Sequence, residues 1–274
     1  MALTLESRVR LNNGVKMPVL GLGTAGASGR VGVAAVLEAL NSGYRLIDTA
    51  SRYGNEQEVG LAVRKSNVPR EDVFITTKVA GSEQGYASAL KACEGSLRRL
   101  GLDHIDLYLI HWPGSRKRLE TWRAMEKLLE VGKARAIGVS NFMNHHVEEL
   151  RAASPVLPVV NQIELSPFLQ QRDVVAYCRG HRIEVEAYSP LTRGRRLDDP
   201  TVGRIATQHQ RTPAQILLRW SLQHGFVAIP KSVRSRRIRE NAEVFDFTLG
   251  QEDMEALDKL DQGLHFDWDP TNVP

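Results

Sequence analysis

Asp48, Tyr53, Lys78 and His111 bring a carboxylate, a phenol, an amine and an imidazole to the ends of three short apolar runs, at 45–48, 73–78 and 105–111. A phenol is a poor acid at neutral pH, with a reference pKa of about 10, so a catalytic Tyr53 needs a neighbour that favours phenolate. Lys78 can be that neighbour. An ammonium about 4 Å away, at an effective dielectric of about 20, supplies on the order of 4 kcal/mol, or up to roughly three pKa units before desolvation takes its share. Lys78 must then stay charged while partly buried, and Asp48, ending the adjacent strand, is placed to keep it so. A neutral His111 can donate one hydrogen bond to a carbonyl oxygen and share the charge that develops there. Together the four can protonate an oxygen that turns negative as hydride reaches its carbon. No side chain donates hydride, so a nicotinamide cofactor is required. Taken singly, each residue has an ordinary structural reading; their joint order and spacing carry the inference.

That chemistry needs all four on one rim. Strands are expected at 18–23, 45–48, 73–78, 105–111, 134–139, 159–163, 183–188 and 226–230, alternating with helices near 30–42, 55–66, 86–100, 119–131, 144–152, 170–180, 201–222 and 234–243. Gly43, Gly101, Gly132 and Gly180 stand as helix stops. Eight strand–helix units in sequence are the count of an α/β TIM (β/α)8 barrel, whose chemistry sits at the C-terminal rim of its strands. A β-hairpin turning at Asn12-Asn13-Gly14 precedes it. The stripes Leu90, Cys93, Leu97, Leu100 and Trp122, Met125, Leu128, Leu129 recur at helical spacing and read as core. Segments 112–118 and 189–200 have weak pattern and follow strands four and seven, where loops carry selectivity. No linker or compositional shift divides the chain, so a single domain over 1–274 is expected.

The composition of the 274 residues, 42% hydrophobic and 25% charged, is ordinary for a globular protein. No apolar run reaches membrane-span length and the first residues lack a signal-peptide pattern, so a soluble cytoplasmic protein is expected. Cys93 and Cys178 are far apart and without metal-ligand spacing, so they read as reduced and buried, with neither disulfide nor metal site. The net charge of +4 comes from clusters such as Arg193, Arg195, Arg196 and the stretch from Lys231 to Arg239. Without interleaved aromatics these argue for anionic small molecules over nucleic acid. Gly21-Leu22-Gly23-Thr24-Ala25-Gly26 matches G-x-G-x-x-G, but Ala27-Ser28-Gly29 prolongs the loop where a Rossmann helix must begin. The glycines read instead as a strand exit that lets a ligand approach the backbone.

Several motifs together resemble the aldo-keto reductases over essentially the whole chain. They are Gly43-Tyr44-Arg45-Leu46-Ile47-Asp48-Thr49-Ala50 with Tyr53-Gly54-Asn55-Glu56, Leu107-Tyr108-Leu109-Ile110-His111-Trp112-Pro113, and Gly138-Val139-Ser140-Asn141-Phe142. Asn161-Gln162-Ile163-Glu164 and Ile229-Pro230-Lys231-Ser232, continuing to Arg237-Ile238-Arg239-Glu240-Asn241, complete the set. Leu46 departs from the pattern, standing where many members have His.

The resemblance implies NADPH-dependent reduction of aldehydes, ketones or dicarbonyls, with Asp48, Tyr53, Lys78 and His111 as the tetrad and Tyr53 as proton donor. It implies cofactor contacts from Gly23 and Thr24, the carboxamide held by Ser140, Asn141 and Gln162, and Tyr188 stacked on the nicotinamide. The pyrophosphate would lie along Ser189, Pro190 and Leu191. Lys231, Ser232 and Arg237 would bind the 2′-phosphate, Glu240 with Asn241 the adenine, and Val233 would also touch the cofactor. A point charge, a hydroxyl and a forked guanidinium suit a dianionic phosphate, while Arg234, Arg236 and Arg239 read as solvated face.

Ala25, Trp112, Phe266 and Trp268 would line the substrate pocket. Ala25 replaces a bulky aromatic found in many members, and Arg116, Lys117 and Arg118 follow Trp112 closely, so a wide, basic mouth and anionic substrates are expected. The pattern is most similar to the prokaryotic branch that includes 2,5-diketogluconate reductases, and the family leans monomeric. Two rival readings are a non-enzymatic cofactor-binding member and a barrel aldolase using Lys78 as a Schiff base. The intact tetrad opposes the first, and Asp48, which keeps Lys78 charged, opposes the second.

Overall fold

In the computed structural model, which describes residues 3–114 and 117–274, the chain opens with an antiparallel hairpin of β1 (Arg8–Arg10) and β2 (Lys16–Pro18). Eight parallel strands follow: β3 (Leu22–Gly23), β4 (Leu46–Asp48), β5 (Phe74–Val79), β6 (Leu107–Ile110), β7 (Ile137–Ser140), β8 (Val160–Glu164), β9 (Glu184–Tyr188) and β10 (Val227–Ala228). Each pairs with its neighbour in sequence. The ring closes where Leu20 bridges Ala228 and Gly23 bridges Lys231, both in parallel sense. Across this seam the Gly21 and Gly23 amides donate to the carbonyls of Ala228 and Pro230 at 2.9 and 3.1 Å.

The two glycines are there for closure. A Cβ on Gly21 would sit 2.4 Å from Leu46 Cγ, and one on Gly23 would sit 3.0 Å from the Ile229 carbonyl oxygen. The first helix begins only at Gly29, so no phosphate-binding turn of the Rossmann kind exists here.

The helices are α1 (Gly29–Asn41), α2 (Glu56–Lys65), α3 (Tyr86–Leu100), α4 (Arg118–Glu130), α5 (Asn144–Ala153), α6 (Arg172–Gly180), α7 (Pro200–His209), α8 (Pro213–Gln223), α9 (Ser235–Ala242) and α10 (Gln251–Asp258). Three details depart from the expected elements. The helix expected over 201–222 is two, because Gln210 is left-handed (φ 52°) and Thr212 caps a new helix with Pro213 in its first position. Helix α10 was not expected. Gly180 is not a left-handed stop: α6 runs to it, and Arg182 at φ 56° makes the turn, whereas Gly43, Gly101 and Gly132 do take positive φ.

Strand alternation separates two apolar layers. Ile47, Ile75, Tyr108 and Ile137 face the helices. Leu46, Phe74, Leu107, Leu109, Val160 and Val227 fill the barrel interior, capped from below by Leu11 and Met17 of the hairpin. Asn12 and Asn13 hold the hairpin turn to the carbonyls of Pro158 and Arg135 at 3.0 and 3.1 Å. With the hairpin covering that end, the large cavity opens at the opposite rim.

On that rim Asp48 follows Leu46 by two residues, His111 follows Leu109, and Gln162 follows Val160, so polar groups take over the inward face where the apolar ones stop. Cys93 and Cys178 are fully buried, and burial pushes their thiols up to about 12 and about 11, consistent with inert core residues. Among the described residues no helix is long and apolar enough to cross a membrane.

Candidate active site

Lys78 is fully buried in the interior, and its Nζ donates to both oxygens of Asp48 at 2.7 Å and to the Thr49 carbonyl at 3.0 Å. The same Nζ lies 3.5 Å from the Tyr53 hydroxyl and 5.1 Å from the centre of its ring. Tyr53 comes from a tight turn, Ser51–Tyr53, that Ser51 Oγ pins to the Lys78 carbonyl at 3.1 Å and to Glu83 at 2.6 Å. The His111 ring meets Tyr53 edge-on, with centroids 5.5 Å apart. The four side chains expected to act together therefore do converge.

Gln162 extends the cluster. Its amide Nε2 donates to Asp48 at 2.9 Å and to Glu186 at 2.7 Å, an arrangement that fixes which end of the amide carries the hydrogens. Its Oε1 is left without a partner among the described residues. Asn141, left-handed at φ 63°, donates to the His111 carbonyl at 3.0 Å and accepts from the Tyr188 hydroxyl at 2.9 Å. Asn55 ties the strand exits together, donating to the carbonyls of Thr24 and Ala27 at 2.8 and 2.9 Å while Thr49 donates to it at 2.7 Å.

Burial sets most of the acidities. It works to strip Lys78 of its proton, but the charge and hydrogen bonds of Asp48 oppose it, and the ammonium is held above its ordinary value. Burial, reinforced by the charges of Lys78 and Arg52, drives His111 down to about 3, so its imidazole is neutral. Tyr53 behaves differently from expectation. Burial raises its pKa, Lys78 lowers it, Asp48 opposes Lys78, and the phenol ends above its ordinary value. The reason is that the ammonium is already committed to a carboxylate, so little of its field is left for the phenol. Tyr53 is thus held as the protonated acid. Glu186, fully buried and with one oxygen unpartnered, is raised to about 8 by burial and by Asp48, so it too is protonated at neutral pH.

Asp48, Tyr53, His111, Asn141 and Gln162 line a cavity of about 1510 Å³ that runs along the rim from Trp268 and Trp112 past Tyr188 to Arg237 and Asn241. The profile of the aldo/keto reductase family matches residues 19–262. The chain belongs to that family.

Its relatives agree. It is 50% identical over 263 residues to a glyoxal reductase of Bacillus subtilis, covering 96% of this chain and 95% of the other. An aldo/keto reductase structure from Brucella melitensis superposes with a TM-score of 0.91 at 49% identity, over 93% of this chain and 99% of that one. An aldo-keto reductase of Bombyx mori, solved in complex with NADP, gives 0.90 at 35% identity, over 96% and 95%. The protein is accordingly an oxidoreductase of the aldo-keto reductase type, and its chemistry is carbonyl reduction.

Most residues singled out by sequence line this reductase's cavity. Asp48, Tyr53 and His111 are joined there by Gly23, Ala25 and Trp112. So are Ser140, Asn141, Gln162, Tyr188, Ser189, Pro190 and Leu191, and, at the far end, Lys231, Ser232, Arg237, Glu240 and Asn241. Lys78 lies behind the wall, reaching the site through Asp48 and Tyr53. Three others stand off it. Thr24 is buried and spends its hydroxyl on the Asp48 carbonyl at 2.8 Å. Val233 packs against the outer core. Phe266 is drawn away by its amide, which donates to Glu164 at 3.0 Å, although Trp268 next to it does reach the cavity and packs on Trp112 with centroids 5.1 Å apart.

The basic mouth is built from other residues than expected. Arg116 lies outside the described residues. Arg118 is buried, pairs with Glu149 at 3.3 Å and bonds to the Pro274 carbonyl, and neither it nor Lys117 lines the cavity. Arg52 and Arg193 do. Arg234 and Arg236, expected to be solvated face only, line the outer end as well, while Arg239 pairs with Glu38 at 2.7 Å. Glu186 was not foreseen, although it is two residues before Tyr188 and therefore on the same inward face.

Proposed function

We propose that this aldo-keto reductase uses NADPH to reduce small aldehydes, ketones and dicarbonyls, as one barrel domain over residues 1–274 with Tyr53 as proton donor. The observation that carries the reading is the Lys78 ammonium, bonded to Asp48 at 2.7 Å and 3.5 Å from the Tyr53 hydroxyl, just behind the wall of a long cavity that Asp48 and Tyr53 line. The residues present fit a nicotinamide cofactor chemically. Lys231, Ser232 and Arg237 offer a point charge, a hydroxyl and a forked guanidinium at one end, where α9 begins and adds the positive end of its dipole. At the other end the unpartnered Oε1 of Gln162 can accept from a carboxamide, and the Tyr188 ring offers a flat face. Such a cofactor, when bound, supplies the hydride that reaches the carbonyl carbon.

The chain's own groups then handle the oxygen. The neutral His111 imidazole donates one hydrogen bond to it and orients it. Tyr53 gives up its hydroxyl proton as charge grows there, and the phenolate left behind is stabilised by Lys78, which Asp48 keeps charged. The raised pKa of resting Tyr53 guards the proton until an oxygen more basic than the phenolate is present. The same Asp48–Lys78 pairing disfavours Schiff-base chemistry, which needs a neutral amine.

The test is to follow NADPH oxidation with glyoxal, methylglyoxal and simple aldehydes. Tyr53→Phe is expected to bind NADPH normally and lose nearly all turnover, and retained turnover would remove Tyr53 as the acid. In the same assay Arg237→Ala is expected to weaken NADPH roughly tenfold or more while leaving NADH little changed, in keeping with loss of a bidentate phosphate contact. Trapping of substrate by borohydride would instead favour the aldolase.

A further inference from the structure

The substrate end of the cavity holds an unusual charge. Around Tyr53, His111, Trp112 and Trp268, besides Asp48, which is committed to Lys78, the wall contributes the charged side chains of Arg52, Arg193 and Asp267. Arg193 and Asp267 are paired with each other. Arg52 has no hydrogen bond or ion pair among the described residues, and its side chain is exposed to the cavity.

Its position is fixed from both sides. Arg52 is the middle residue of the turn whose Ser51 is pinned to Lys78 and Glu83, and Gly54 at φ 66° ends that turn. The backbone of the arginine is therefore held next to that of Tyr53, with about 3.8 Å between their Cα atoms, and both side chains line the same cavity. Its field reaches the imidazole on the other side of that oxygen, being one of the charges that keep His111 neutral. The remaining wall is small or aromatic, from Ala25 and the Trp112–Trp268 pair. Such a wall offers area but no other free charge close to the reacting carbon.

Resting on the reductase reading, we infer that Arg52 is the residue that reads substrate charge, selecting carbonyl compounds that carry a carboxylate a few bonds from the reacting carbon. A guanidinium presents two parallel N–H groups to a carboxylate, which fixes direction as well as charge. With its oxygen held between Tyr53 and His111, an oxo acid or a semialdehyde acid has its carboxylate within reach of that fork. Asp267 would repel such a substrate, but Arg193 neutralises it. Uncharged aldehydes of the same length meet only the apolar wall.

The experiment compares matched pairs with the NADPH-loaded enzyme: succinic semialdehyde against pentanal, and glyoxylate against methylglyoxal. The quantity read is the ratio of kcat/KM for the charged member to that for the neutral one. Arg52→Gln is expected to lower this ratio roughly tenfold or more through KM of the charged member, Arg52→Glu to lower it further, and Arg52→Lys to recover part of it. Raising KCl should lower the wild-type ratio and leave the Arg52→Gln ratio nearly unchanged. NADPH titration by fluorescence shows that each variant is folded. A ratio that stays within about twofold across the variants, or a wild-type ratio indifferent to salt, overturns the assignment. If the wild type oxidises NADPH with none of the four compounds, it is the reductase reading that fails.

Discussion

His111 and Tyr53 each keep one protonation state over the range in which most enzymes titrate. The imidazole sits at about 3 and the phenol above its ordinary value, both because burial penalises the charged form. In the proposed reduction the useful forms are neutral His111 and protonated Tyr53. Between roughly pH 5 and pH 7, therefore, kcat/KM is expected to be flat, with loss only on the alkaline side as Glu186 and then the phenol give up their protons. A pH–rate profile checks this, and an acid limb near pH 6.5 would mean that the imidazole titrates like an exposed one. At this scale the tetrad was legible in the sequence because a polar residue ends each apolar run. Glu186 was not: in a barrel strand both faces are buried, so alternation alone does not say which residues point inward. Arg52 lies in a turn, where no periodicity marks direction. Tyr53's acidity depends on how a single ammonium is shared, which spacing cannot reveal.

Among the elements, close approach of backbones decides which glycines are replaceable. In α2 a Cβ on Gly60 would lie 1.9 Å from the Leu100 carbonyl oxygen at the end of α3, whereas in α7 a Cβ on Gly203 would meet open space. Gly60→Ala is expected to cost about 1–3 kcal/mol or more, and Gly203→Ala to add about 0.5–1 kcal/mol through lower unfolded-chain entropy. Urea unfolding of both variants distinguishes them, and equal effects would contradict the packing described. The alternation of strands and helices was readable from apolar spacing, and so were most helix ends. Helices α7 and α8 merged in that reading because an apolar stripe continues through the break, although Thr212-Pro213-Ala214-Gln215 carries the capping pattern that separates them. Helix α10 is short and follows Gly250 with Gln251-Glu252-Asp253, a polar start with little stripe to betray it.

Across the whole molecule, the interior acid and the closure of the ring govern stability. Glu186 is raised to about 8 in the folded chain, well above an unfolded carboxyl near about 4.3. The folded state therefore binds a proton that the unfolded state releases, so the stability tied to neutral Glu186 is complete at low pH and is lost as pH climbs through that interval. Glu186→Gln stays neutral throughout. Its melting temperature relative to wild type is expected to rise between pH 5 and pH 8.5, and parallel curves would place the titration elsewhere. The eightfold architecture was legible as a count of units, but where the ring closes was not, because the closing contacts join residues more than two hundred apart. That seam is thin. Strands β3 and β10 have two residues each, while β8 and β9 share five registered pairs. The Gly21, Gly23 and Ala228 amides should exchange with deuterium by local opening long before those of β8 and β9, and uniform exchange around the ring would contradict this. Lys231 and Ser232 adjoin the same seam, so a bound dinucleotide would act as a clasp on a rolled sheet, lengthening the lifetime of the closed ring whenever the enzyme is charged with reductant.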